Sequence, residues 1–188
     1  RDTDRSRGLG DVYKRQGQKT FISQKLNSRF LYKEISKNKY AVYSWIQFDD
    51  EVKGYDKATK TVMNIPGYID GHKIEVIAEE FTRGCIGVSK VTIPNTVTEI
   101  RRGAFVYTKR IQSISISSSV KTIAADVFSG NNCLKFTVDS NNKYFQAING
   151  DLYSKDGKTL VSATGSSMTK IPSFVEVIGG DAFCGNNH

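Results

Sequence analysis

The stretch from Val91 to Phe128 reads VTIPNTVTEIRRGAFVYTKRIQSISISSSVKTIAADVF. Shifted by 23 residues it falls on itself: Val91 meets Ile114, Ile93 meets Ile116, Val97 meets Val120, Ile100 meets Ile123 and Phe105 meets Phe128. The same shift backwards brings Ile74 onto Val97, Ile77 onto Ile100 and Val88 onto Ile111. The residues between these positions drift in identity and charge. Such a pattern marks a stacked repeat, in which each unit buries its apolar face only against its neighbours.

A further copy lies at the C-terminus, where Ile171, Val175, Ile178 and Phe183 follow Ile116, Val120, Ile123 and Phe128 by 55 residues. The excess over one period implies an insertion of about one and a half repeats. The first copy is irregular: Phe81 precedes Phe105 by 24 residues, and Ile65-Pro66 precedes Ile93-Pro94 by 28. The apolar positions Ile77, Phe81, Ile93, Val97, Ile100, Phe105, Ile116, Val120, Ile123, Phe128, Ile171, Val175, Ile178 and Phe183 are expected to form the repeat core.

The unit reads I-x-I-P-x-x-V-x-x-I-x-x-x-A-F, with Ala104-Phe105 and Ala182-Phe183 keeping the Ala-Phe pair and Val127-Phe128 and Glu80-Phe81 keeping the Phe. It resembles the BspA-like (Treponema pallidum-type) leucine-rich repeat over roughly residues 30–188. The resemblance implies a β-rich leucine-rich-repeat solenoid of the α/β type. The resemblance also implies a secreted or cell-surface bacterial protein that adheres to host matrix or to other cells, with a protein ligand and no enzymatic activity. No cofactor is implied. The segment after each repeat strand is too short for a long helix, so a turn or a short helical or 3₁₀ turn is expected to deliver each Phe inward, and a small N-terminal β cap to cover one end.

Three segments are expected: a lead over residues 1–16, a β cap over 17–63 and the repeat array over 64–188, with a β-meander inserted at about 139–168. The lead, RDTDRSRGLGDVYKRQ, lacks periodicity and reads as non-native or disordered. The chain begins with Arg1 and ends within a unit, so the natural protein is expected to be longer. In the cap, Phe30–Ile35 and Tyr40–Phe48 read as strands, and Tyr40, Tyr43, Trp45 and Phe48 as its aromatic core. In the insertion, Asn149-Gly150 between apolar runs signals a two-residue hairpin. Strands are expected at Tyr144–Ile148, Asp151–Ser154 and Thr159–Ala163.

Within each repeat strand the side chains alternate, so Val91 and Ile93, Ile114 and Ile116, and by a one-residue slip Phe136 and Val138, point inward. The outward ladder is then Thr92, Ser115, Thr137 and, on the last copy, Lys170. Together with Tyr144 and Tyr153 of the insertion, these are the candidate contact residues.

Residues that would carry chemistry are scarce. Of the two histidines, His72 reads as a solvated turn residue and His188 is terminal. Cys85, Cys133 and Cys184 fit no metal spacing and read as buried thiols. No nucleophile-elbow, zinc-protease or phosphate-loop motif occurs. The net charge of +8, of which the lead supplies +2, favours acidic surfaces in general. The basic residues Lys90, Arg101, Arg102, Lys109, Arg110 and Lys121 lack interleaved aromatics, which argues against nucleic acid. Glu79, one repeat before Arg102, is expected to pair some of this charge. No apolar run reaches membrane-spanning length. Two other readings stay open: a structural spacer, or the recognition arm of a larger protein whose effector or catalytic domain lies elsewhere.

Overall fold

The structure, a computed structural model, describes residues 20–22, 30–45, 61–82, 87–108, 111–131, 135–164 and 170–184. Among these residues every regular element is a strand. Of the two forms expected after each strand, a turn or a short helical or 3₁₀ turn, the helical form is absent. The segments between paired strands are instead successive hydrogen-bonded turns, as where Ala104 N donates to Arg101 O (3.2 Å) and Val106 N to Gly103 O (3.2 Å). Gly103, Asp126 and Asp181, each two residues before its Phe, take positive φ values of 64°, 60° and 58°. That left-handed kink breaks any helix and turns the following Phe inward.

Two ladders carry the repeat. In the first, β4 (Thr61–Asn64), β7 (Val88–Thr92), β9 (Ser113–Ile116) and β11 (Lys135–Val138) lie side by side, all parallel. Val91 pairs with Ile114 and Ile114 with Phe136, so the step is 23 residues and then 22, the slip read from the sequence. In the second, β6 (His72–Ile77), β8 (Glu99–Ile100) and β10 (Thr122–Ile123) are also parallel and bring Ile77, Ile100 and Ile123 into line.

Between the ladders lies one continuous apolar core. Ile77, Phe81, Ile93, Val97, Ile100, Phe105, Ile116, Val120 and Phe128 are buried in it, and Ile123 packs against it half-buried. A row of aromatic rings runs through the core, with Phe30–Phe81, Phe81–Phe105, Phe105–Phe128 and Phe128–Phe136 centroids 6.2, 5.9, 6.0 and 4.7 Å apart. These are ordinary stacked and edge-to-face separations.

The last copy departs from the expected core. Val175 is half-buried, but Ile171, Ile178 and Phe183 are 40%, 50% and 36% exposed. The reason is positional: β15 (Val177–Ile178) is the outermost strand of its sheet and no further strand packs over it among the described residues.

At the other end, β1 (Thr20–Ile22), β2 (Phe30–Ser36) and β3 (Lys39–Trp45) form an antiparallel run, and β3 then pairs parallel with β6. The two long strands thus extend the second ladder. Trp45 is buried, Tyr40 and Tyr43 are half-buried, and Phe48 lies outside the described residues. β5 (Tyr68–Ile69) folds back on β6 through Asp70-Gly71, both at positive φ, as a two-residue hairpin turn requires.

The insertion follows its sequence signal closely. β12 (Phe145–Ile148), β13 (Asp151–Ser154) and β14 (Thr159–Ser162) form an antiparallel meander, turned by Asn149 (φ 53°) and Gly150 (φ 96°). β14 pairs parallel with β15, placing Leu160 beside Ile178. The insertion therefore supplies the strand on which the last copy stacks.

Candidate protein-binding face

The outward side of the first ladder carries two rows. One is Asn64, Thr92, Ser115 and Thr137; the other is Val62, Lys90, Ser113 and Lys135. Apart from Val62 all are polar, and they stand half-buried to exposed. The rows form because period-two alternation buries Met63, Val91, Ile114 and Phe136 on the other side. Thr137 Oγ1 donates to Ser115 Oγ (3.0 Å), so the ladder of hydroxyls is itself hydrogen-bonded. Short hydroxyl side chains flanked by Lys90 and Lys135 leave a flat, hydrogen-bonding, positively charged surface.

The ladder stops at Thr137. Beyond it Phe136 N donates to Gly150 O (2.8 Å), so the first turn of the insertion covers the open edge of β11. Covering an exposed strand edge removes a route to aggregation. Lys170 is exposed but lies in no strand, so it does not continue the row. Of the two tyrosines expected to make contact, Tyr144 is 45% exposed, whereas Tyr153 is 1% exposed. The phenol of Tyr153 is held in a small core with Leu160, Ala163 and Ala182, and its ring lies 5.9 Å from that of Phe174. It is buried because β13 is covered on both faces: Leu152 enters the main core and the next side chain, Tyr153, this smaller one.

Buried and half-buried polar side chains, which the apolar pattern did not reveal, tie one repeat to the next. Ser119 Oγ donates to Val97 O (2.7 Å). One period later Asn142 Nδ2 donates to Ser117 O (2.8 Å) and Val120 O (3.0 Å), while its Oδ1 accepts from Tyr144 N and Phe145 N (both 2.8 Å). On the Phe side Asn131 Nδ2 donates to Phe105 O and Phe128 O, and Thr108 Oγ1 donates to Asn131 Oδ1 (2.8 Å). The signal was present in the sequence as a polar residue recurring every 23 positions, at Thr96, Ser119 and Asn142 and at Thr108 and Asn131.

The charged residues pair mostly along the second ladder. Glu99 receives Arg101 Nε (2.8 Å) and Lys39 Nζ (3.3 Å). Glu79 pairs with Arg101 (3.5 Å) instead of Arg102, whose guanidinium reaches Asp126 one copy on (2.6 Å). Burial pushes the Glu99 carboxyl up, but the bonds from Arg101 and Lys39 outweigh it and hold it below its ordinary value of 4.5. A folded value below the unfolded one stabilises above the unfolded value and is lost as pH falls through the folded one. Glu99→Gln is therefore expected to lower the urea midpoint at pH 7 and to leave it unchanged at a pH below the folded value. Denaturation curves at the two pH values check this.

His72 is not a solvated turn residue. It opens β6 half-buried, its ring 4.2 Å from Tyr40 and 5.9 Å from Tyr32. Burial, and then a hydrogen bond donated to Asp70 (2.9 Å), push the Tyr32 phenol up to about 12. Cys184 is exposed, against the buried reading, because it sits in the outermost copy. Cys85, Cys133, Lys109, Arg110 and His188 lie outside the described residues. Among the described residues no group of three or more His, Cys, Asp or Glu is placed to hold a metal ion. No described helix is long and apolar enough to cross a membrane.

No curated protein matches the chain. Among solved structures it is similar to a leucine-rich repeat protein from Eubacterium ventriosum, with 20% identity, 91% of this chain and 58% of that one covered and a TM-score of 0.42. It is also similar to the pneumococcal vaccine antigen PcpA (15% identity, 86% and 61% covered, TM-score 0.34). A leucine rich cell surface protein from Faecalibacterium prausnitzii is a third (12% identity, 85% and 66% covered, TM-score 0.40). The chain thus spans 58% to 66% of the length of these solved chains. The family model of the BspA type leucine rich repeat region matches residues 64–188 in six copies. With two thirds of its length matched by that model, the chain belongs to the BspA-type leucine-rich-repeat family.

Proposed function

We propose that this chain is a non-enzymatic protein-binding module of a secreted or cell-surface protein, and that it adheres to host matrix or to other cells. Residues 64–188 would form one solenoid, with 17–63 as its N-terminal cap. The observation that carries the reading is the outward face of the first ladder, where Thr92, Ser115 and Thr137 align across three strands and Lys90 and Lys135 flank them. Such a face offers many equivalent contacts and no enclosed catalytic constellation, which suits binding by avidity. The exposed Tyr144 of the insertion would add an amphipathic anchor. Lys170 would contribute only as a separate exposed charge.

The test is capture of immobilised matrix proteins by the full chain and by the triple variant Thr92→Glu, Ser115→Glu, Thr137→Glu. These side chains lie on the outer face, so the core is untouched. A loss of affinity of about tenfold or more is expected, as for central contact residues. Unchanged capture by a folded variant would move the contact surface elsewhere. No capture by the unmodified chain would favour the spacer reading.

A further inference from the structure

Tyr107 is 74% exposed, more than any other large apolar side chain among the described residues. Its backbone is left-handed, at a φ of 54°. The corresponding place in the next copy, two residues after Phe128, is Gly130 (φ 73°), and two residues after Phe183 the sequence again has glycine, Gly185. The repeat thus gives this place to the residue that adopts a positive φ without strain, and the copy carrying Phe105 fills it with a bulky ring. Of the other non-glycine residues at positive φ, five are Asn or Asp, whose short polar side chains tolerate it. The sixth, Glu80, is a slender chain at the kink ahead of Phe81.

Folding gains little from the exception. One side of the ring rests on Gly130, where an added Cβ would come within 2.6 Å of Cδ1 and 2.9 Å of Cε1. The rest of the ring is open, so most of the burial that repays an aromatic side chain is missing. The ring is nevertheless held in place. Tyr107 N donates to Ser129 O (3.0 Å), and the buried Thr108 hydroxyl lies 2.8 Å from Asn131 Oδ1 and 2.9 Å from Phe105 O. Backbone strain that the fold does not need, under a side chain that is fixed and exposed, points to function and not to packing. The charges of the same turn are already matched: Arg101 pairs with Glu99 and Glu79, and Arg102 with Asp126. The turn over 101–108 therefore presents an aromatic side chain and no unpaired charge.

We propose that Tyr107 anchors the protein partner, whose apolar side chains pack over the open side of the ring while an acceptor of the partner takes the phenol proton. Tyrosine suits this place because it joins a rigid apolar body to a polar tip and has only two torsions to fix. A ring already held by its neighbours loses still less freedom on binding. A strongly charged surface fits less well, since both arginines of the turn are already paired. The anchor is separate from the ladder of Thr92, Ser115 and Thr137: it lies on the turn that follows β8, outside the strands of the first ladder. It rests on the proposed function only for the class of the partner.

The experiment compares the full chain with Tyr107→Gly and Tyr107→Asn, in urea unfolding and in capture by immobilised fibronectin and type I collagen, each used before and after enzymatic deglycosylation. Both variants remove the ring and suit the left-handed backbone, glycine being the residue of the next copy. Urea midpoints equal to or above that of the unmodified chain are expected. Capture by both variants is expected to be weaker by about tenfold or more, as for a central contact side chain. A lower midpoint in both variants would make the ring structural and overturn the proposal. Undiminished capture by Tyr107→Asn would also overturn it, while leaving the proposed function standing. Loss of capture by the unmodified chain once the probes are deglycosylated would place a sugar on the ring, which overturns it as well. No capture of either probe by the unmodified chain would count against the proposed function, and the anchor would fall with it.

Discussion

Phe105→Ala is expected to lower the free energy of unfolding by about 3–5 kcal/mol, as for other large-to-small changes at fully buried rings. Phe105 has no exposed surface, and its ring lies between those of Phe81 and Phe128. Removing it opens a cavity in the middle of the aromatic row, and the flanking copies cannot collapse into it without breaking their strand registers. The change also spreads: a stacked array loses both neighbouring interfaces when one unit fails. Phe183→Ala is the internal control. It holds the same place in its repeat but is 36% exposed, so its loss should cost well under half as much. Urea unfolding of the two variants, followed by far-ultraviolet circular dichroism, measures both. Equal effects would mean that burial along the row does not set the stability.

Asn142→Ala is expected to cost about 2–4 kcal/mol, although Asn142 is neither apolar nor part of the repeat core read from the sequence. The side chain is almost fully buried and uses both its amide hydrogens and its oxygen. Truncation leaves Val120 O, Tyr144 N and Phe145 N without these partners in a region that water reaches poorly. Asn142→Asp should not restore stability. It keeps an acceptor for the two amides but faces Ser117 O and Val120 O with a carboxylate, which has no hydrogen to donate. The same denaturation experiment distinguishes the two variants. Full stability in Asn142→Asp would show that only the accepted bonds matter.

The 23-residue period was enough to place Ile77, Ile100 and Ile123 in one line and Thr92 beside Ser115, because parallel strands in successive units inherit the sequence spacing. The meander was legible for a local reason: Asn149-Gly150 selects a hairpin turn without help from distant residues. What the period could not show is where the insertion goes. Leu160 of β14 lies beside Ile178, a pairing fixed by packing, and it displaces the last copy from the place the 55-residue spacing suggested. Lys170 leaves the ladder for that reason, and Tyr153 is core because β13 is covered on both faces. Ile171, Ile178 and Phe183 keep the apolar pattern, but burial depends on a neighbour as well as on identity. The length of the segment left a turn and a short helical turn equally open, and the left-handed Gly103 or Asp126 ahead of Phe105 and Phe128 selects separate turns. Ser119, Asn131 and Asn142 recur on the period too, yet a recurring polar residue suits an exposed position as well as a hydrogen bond between repeats.

On the proposed function, the outer ladder binds protein through specific contacts and not through charge alone. It is tested most directly by measuring saturation of the full chain on immobilised matrix proteins at low and high ionic strength. Saturable binding that survives a salt concentration short enough in screening length to quench exposed charges is the expected result. Binding that never saturates, or that disappears uniformly for every protein as salt rises, would contradict it and leave only the general attraction of a chain with a net charge of +8.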